Sequence, residues 1–223
     1  MGARGRKATQ RAPSRYDRTV SPRPASRKQL ERLLDRRNEH PEQLLAIDRE
    51  ICRTFERECA IFVLDMCGFS RLTLRHGIVH YLALIRRMQR TVLPIVGEHD
   101  GRVVKTEADN VFATFATVGR ALKAARTVQR ALARENAVLP QDWDVNVGIG
   151  IGYGPLLMIG DDDVYGSEMN LASKLGEDLA EAGEILLTGA AFERAGQQKR
   201  SFVAKLARMG GLRFRYHAAR AER

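Results

Sequence analysis

Hydrophobic positions change their period along this chain, and the changes divide it into segments. Up to residue 25 large apolar side chains are scarce while Arg, Gly, Pro and Ser abound, so there is too little apolar surface to offset ordering and disorder is expected. A helical rhythm begins with Leu30, Leu33 and Leu34 and halts at 38–41, where Pro41 ends one helix and suits the first turn of the next. Leu44, Leu45, Ile47, Ile51 and Phe55 make one stripe on that second helix. Two short segments sustain no heptad, so they are expected to cover the following domain rather than form a coiled coil.

Residues 60–64, Ala-Ile-Phe-Val-Leu, are a continuous apolar run of strand length ending at Asp65, the pattern of a central buried strand. A turn over 66–70 leads to one long predicted helix, 71–96, carrying Leu72, Leu74, Ile78, Tyr81, Leu82, Leu84, Ile85, Met88, Val92 and Ile95. Residues 101–106 and 111–115 read as a hairpin with Asp109 at its tip, followed by a helix over 118–136. Residues 145–151 and 156–159 read as a strand pair around Gly152, Tyr153 and Gly154. Next comes a helix N-capped by Ser167, with Met169, Leu171, Ala172 and Leu175 at helical spacing. A strand over 185–188, a short helix over 190–195 and edge strands over 201–204 and 212–216 complete the pattern.

Helices alternating with hairpins predict an α/β (α+β) domain with a mixed, mainly antiparallel sheet and covering helices. The expected organisation is a basic tail over 1–25, a helical segment over 26–57, the globular domain over 58–217 and a basic C-terminal tail over 218–223.

Composition adds location and charge. The 44% hydrophobic content is enough for a sizeable core. No apolar run reaches the roughly 20 residues a membrane span needs, and the N-terminus lacks the apolar segment of a secretory signal, so the chain is expected to be cytoplasmic. The first 23 residues also have the Arg/Ser/Pro composition of an organelle transit peptide. Cys52, Cys59 and Cys67 lack partners at metal-ligand spacing and read as reduced, packing thiols. The net charge of +10 lies at the ends: +8 over residues 1–40, +7 over 199–223 and −5 between them. Such ends attract anionic lipid or nucleic acid weakly. Aromatics are not interleaved with the arginines, so a non-specific or solubilising role is expected.

Candidate chemistry gathers in three places. Asp65 at a strand end and Asp109 at a hairpin tip are oxygen donors of the kind Mg²⁺ takes; the plain alternative is a helix cap and a turn residue. Phe69 and Ser70 end the turn that leads from Asp65 into the helix N-terminus, where free backbone N–H groups favour phosphate. Lys105 and Asp163 are a donor and an acceptor able to read a nucleobase edge, or else a surface lysine and one acid of a solvated Asp-Asp-Asp loop. Asn170 and Lys174, four apart on a helix, share one face, whether as a ligand site or as solvated polar residues.

These residues stand in motifs: Phe62-Val-Leu-Asp-Met-Cys-Gly-Phe-Ser70, Gly101-Arg-Val-Val-Lys-Thr-Glu-Ala-Asp109 with Ala113-Thr-Phe115, Val147-Gly-Ile-Gly-Ile-Gly-Tyr-Gly154, and Asp163-Val-Tyr-Gly-Ser-Glu-Met-Asn-Leu-Ala-Ser-Lys174. In order and spacing they resemble the catalytic domain of the class III nucleotidyl cyclases over about 58–188, more weakly to 216. The resemblance implies a ferredoxin-like cyclase domain in which Asp65 and Asp109 bind two Mg²⁺ or Mn²⁺ ions per site. It makes Lys105 and Asp163 the purine-reading pair in its adenine-selecting combination, and Asn170 and Lys174 the ribose and phosphate contacts. It also implies ATP as substrate, cyclic AMP and pyrophosphate as products, and sites shared between the two subunits of a homodimer.

The chain departs from the family pattern at four points. Lys174 replaces an arginine and lacks its bidentate fork. Ala108 replaces a glycine, at a cost if the turn needs positive φ. Glu107 replaces an apolar residue and is expected to be a solvated tip. The family's triphosphate-binding lysine has no clear counterpart, Arg208 and Arg213 being the candidates. The alternatives are a cyclase acting on GTP or a pyrimidine nucleotide, and a non-catalytic nucleotide-binding or dimerising module.

Overall fold

A helical hairpin precedes the sheet. Helix α1 (Arg27–Glu39), N-capped by Ser26, is joined through a 3₁₀ turn at Pro41–Gln43 to α2 (Leu44–Phe55). Ion pairs Arg36–Glu50 and Arg37–Asp48 tie the two helices together. Leu30, Leu33, Ile47, Ile51 and Phe55 bury themselves against Ile159 and Leu157, so the hairpin covers the domain as expected. Leu45, placed on the apolar stripe from sequence, is instead 72% exposed. The structure, a computed structural model, describes residues 26–160, 162–209 and 211–219, with the side chains of 69–72, 209 and 212 outside that description.

The central strand is β1 (Glu56–Met66), longer at both ends than its apolar run. It pairs antiparallel with β3 (Asn110–Phe115) on one side and β4 (Val147–Ile159) on the other. With β2 (Arg102–Glu107), β6 (Ile185–Thr188), β7 (Phe202–Met209) and β8 (Leu212–Ala219) the sheet runs β2-β3-β1-β4-β6-β8-β7, and β5 (Asp163–Tyr165) pairs with β4. Among the described strands only β4 and β6 pair parallel. Both faces of β1 are buried, which is why its sequence is a continuous apolar run rather than an alternation. Ala60, Phe62, Leu64 and Met66 enter the large core under α4 (Ile78–Glu98) and α5 (Val118–Asn136); Ile61 and Val63 enter a smaller one with Val104, Phe112, Val164 and Ala172.

Four expectations are corrected. The long helix read over 71–96 is two, α3 (Phe69–His76) and α4, broken at Gly77, whose φ of 80° leaves the helical region. Leu74, Ile78 and Leu82, assigned to its apolar face, are 88%, 51% and 55% exposed, while α4 buries Tyr81, Leu84, Ile85 and Met88. The strand pair read around Gly152–154 is one continuous strand, β4, whose glycines lie opposite β1 and turn nothing. Of the two predicted edge strands only β7 is at the edge, since β8 inserts between it and β6. Cys52 is exposed rather than packed, while Cys59 and Cys67 are half-buried; all three thiols are free.

Among the described residues no helix is long and apolar enough to cross a membrane. Residues 1–25 and 220–223, which carry most of the basic tails, lie outside the description.

Candidate functional site

Asp65 reaches the end of β1 opposite Gly148, and the β2–β3 hairpin delivers Asp109 to the same place, since Val111 pairs with Leu64. The two carboxyl groups interact. Burial, then the charge of Asp109, then that of Glu177, pushes the Asp65 carboxyl up to about 7. Tyr81, from the large core, donates its hydroxyl to Asp109 Oδ2. With its amide nitrogen facing them, Asn110 donates to Asp65 Oδ1 at 2.7 Å and to the Leu64 carbonyl at 3.3 Å. Tyr81 and Asn110 were not singled out from sequence; the signal available for Tyr81 was a hydroxyl on an otherwise apolar helix face.

A half-buried pair of carboxyl groups, one resisting ionisation, is a site that a hard cation would neutralise. Among the described residues no group of three or more His, Cys, Asp or Glu side chains is placed to hold an ion. Backbone carbonyls, water or substrate phosphate would complete such an ion's shell, which is how Mg²⁺ is commonly bound by one or two carboxylates. The residues present fit such an ion. Glu107 pairs with Lys105: its carboxylate is 3.1 Å from Lys105 Nζ and its side chain is 68% exposed.

The hairpin turn itself is tight. Ala108 has φ 50°, so the position where the sequence departs from glycine does require the left-handed region.

The second cluster forms because β5 folds back over the smaller core, burying Val164 beside Val104 of β2. Asp163 thereby comes to 3.4 Å from Lys105 Nζ, uniting the donor and acceptor named from sequence. Lys105 also lies over the Phe112 ring, 5.0 Å from its centroid. Asp163 is only 13% exposed, not one acid of a solvated loop. Its Oδ2 accepts from Arg27 Nη2 and from the Tyr165 hydroxyl, each at 2.8 Å, and its Oδ1 from the Val164 N–H at 2.9 Å. Burial would raise its pKa, but Arg27 and Tyr165 outweigh that and hold it at about 2. The Arg27 contact was not foreseen, because nothing in the sequence links residues 136 positions apart.

The third element is α6 (Ser167–Ser173), continued by a π-helical segment, Lys174–Leu179. Gly166, not Ser167, is its N-cap, and no side chain caps it. Its anchor is Glu168, whose carboxylate accepts from Tyr153 N–H at 3.1 Å and from Thr188 Oγ1 at 2.6 Å. This seating needs glycine in β4: a Cβ at Gly152 would lie 2.7 Å from the Glu168 carbonyl oxygen. Lys174 N–H bonds to the Asn170 carbonyl, so the two residues stand one helical turn apart as predicted, Asn170 exposed and Lys174 half-buried. Phe69 and Ser70 open α3, but their side chains lie outside the described residues.

Arg208 and Arg213 are direct partners across the β7–β8 hairpin, both exposed.

No family model matches the chain. Over 132 residues, 59% of this chain and 22% of the relative, it is 33% identical to putative adenylate cyclase 3 of Rhizobium meliloti. Over 120 residues, 54% of this chain and 30% of the relative, it is 31% identical to an adenylate cyclase of Streptomyces coelicolor. The chain thus spans less than a third of the length of either relative. Among solved structures, an adenylate/guanylate cyclase/hydrolase from Silicibacter pomeroyi aligns over 75% of this chain and 98% of its own, with 26% identity and a TM-score of 0.65.

Proposed function

We propose that this chain, whose homologues and structural neighbours are class III adenylate/guanylate cyclase catalytic domains, converts ATP into 3′,5′-cyclic AMP and pyrophosphate. The observation that carries the reading is the meeting of Asp65 and Asp109 at one end of the sheet while Lys105 and Asp163 meet on its smaller-core face. In this reading the ribose 3′-oxygen attacks the α-phosphorus in line, its proton is lost and pyrophosphate leaves.

Asp65 and Asp109 would hold Mg²⁺ or Mn²⁺, which supplies an acidified 3′-hydroxyl and a counter-charge for the triphosphate. Tyr81 and Asn110 keep those carboxylates aimed. Lys105 donates to the purine edge, and Asp163, ionised, accepts from an exocyclic amino group, which suits adenine. Asn170 orients the ribose, and Lys174 offers positive charge to the phosphates without an arginine's fork. Arg208 and Arg213, facing each other with like charge, favour an anion between them, and the terminal phosphates would serve. In a head-to-tail homodimer each site would take its carboxylates from one subunit and its base and ribose contacts from the other, in the cytoplasm.

A second reading, a non-catalytic dimerising module, is favoured by Lys174 and by the positive φ that Ala108 must hold. One experiment separates them. Purified protein is incubated with ATP, GTP, CTP or UTP in Mg²⁺ and in Mn²⁺, beside an Asp65→Ala control, and the products are chromatographed. Cyclic AMP from the parent alone is the expected result. A cyclic product from another nucleotide would overturn the selectivity, and no product from folded dimer would leave the non-catalytic module.

A further inference from the structure

Asp163 has two carboxylate oxygens and about four lone-pair sites; three accept hydrogen bonds and an ammonium faces the fourth. Arg27 Nη2 and the Tyr165 hydroxyl donate to Oδ2, both at 2.8 Å, and the Val164 N–H donates to Oδ1 at 2.9 Å, with the Lys105 ammonium paired to Oδ1 at 3.4 Å. An amino group on a purine can therefore reach this carboxylate only by replacing one of them. The backbone N–H belongs to β5, and Lys105 is the other proposed reader of the base. Tyr165 is two residues along the same strand and moves with Asp163. Arg27 alone comes from outside the globular domain, at the first turn of α1.

Resting on the assignment of Lys105 and Asp163 to the purine edge, we propose that Arg27 is a further residue of the base site, supplied by α1, and that the incoming base displaces it. The exchange is easy on one side and demanding on the other. Arg27 is 45% exposed, so its guanidinium regains water readily on leaving. Asp163 is 13% exposed and recovers little water, so it needs another donor in that place, which the base amino group supplies. Because α1 and α2 are anchored on Ile159 and Leu157 of β4, only a few residues upstream of Asp163, the start of α1 and the base site are mechanically linked. Linkage is reciprocal: nucleotide loosens the first turn of α1, and whatever draws α1 away tightens nucleotide binding.

The test is equilibrium binding of fluorescent methylanthraniloyl-3′-deoxy-ATP, which cannot cyclise, to the full chain with Mg²⁺. Arg27→Gln should bind about two- to fivefold more tightly than the parent, the range expected for removing a partly exposed ion pair from the competing state. The gain should vanish in an Asp163→Asn background. Unchanged or weaker binding by Arg27→Gln overturns the proposal, a weaker one making Arg27 a residue that positions Asp163. If Asp163→Asn leaves the preference for the 3′-deoxy-ATP probe over its guanine counterpart unaltered, the assignment of Asp163 to the base has failed, and the proposal falls with it. A second measurement needs no variant: amide exchange over 27–31 should quicken when unlabelled 3′-deoxy-ATP is added to the parent, and unchanged exchange at saturating nucleotide counts against displacement.

Discussion

The carbonyl oxygen of Ala172 fills the space that a Cβ on Gly150 would need, the separation being 2.1 Å. Helix α6 lies that close to β4, and its seating sets where Asn170 and Lys174 stand. Gly150→Ala must therefore push backbone against backbone. It should cost about 3 kcal/mol or more in urea unfolding, the upper range for overpacking, and displace α6. Gly189→Ala, with nothing within 4 Å of its Cβ, should be neutral or gain about 0.5 kcal/mol.

Tyr81 donates to Asp109, and burial followed by that carboxylate drives the phenol pKa upward, so it remains a protonated donor throughout the working range. Tyr81→Phe should raise the Mg²⁺ concentration for half-maximal cyclase activity about tenfold, as loss of a partner behind a metal ligand commonly does. KM for ATP at saturating metal should change little. A shift in KM alone would mean that Tyr81 acts elsewhere.

Ala108 holds φ 50° at the β2–β3 turn. A left-handed residue with a Cβ carries about 1–2 kcal/mol of strain, of which glycine recovers part after its larger unfolded-state entropy. Ala108→Gly should raise the thermal midpoint by about 2–4 °C, read by differential scanning calorimetry.

His217 is 7% exposed and stacks on Phe192 with centroids 3.6 Å apart. Burial, and then Arg215 and Lys199 against the opposing charge of Glu193, lowers its pKa below 6.5. The folded protein therefore resists a proton that the unfolded chain accepts. Its contribution is complete above about pH 6.5 and is lost as pH falls from there toward the depressed folded value. Asp65, whose carboxyl is pushed up to about 7, stabilises in the opposite direction over the same range and does so in both proteins, so the readout is the difference: from pH 7.5 to 5 the urea midpoint of the parent should drop relative to that of His217→Phe.

Much of the fold was legible because its signals are local. The helix at 118–136 and the strand at 185–188 match α5 and β6, since a stripe of apolar side chains or a run of four needs only its neighbours to be recognised. Gly77 sits inside a helical period, where a glycine is tolerated, and only its φ of 80° makes it a break. The β4 glycines looked like a turn because glycine most often signals one; here they remove side chains so that a helix can approach.

By itself the sequence determined which groups could act: carboxylates at 65 and 109, the donor and acceptor at 105 and 163, and a polar pair four residues apart at 170 and 174. Residue type and spacing carry that much, because they decide what a side chain can donate, accept or hold. Only the tertiary structure decided what those groups meet. It buried Asp65 and set Asp109 against it, so that one carboxyl resists ionisation, and folded β5 over the sheet to join Asp163 to Lys105. It also brought Arg27 onto the same carboxylate from a helix 136 residues away. Such pairings depend on strand register and on which face of the sheet a segment covers, and those are settled by packing distant segments into shared cores rather than by any short stretch of the chain.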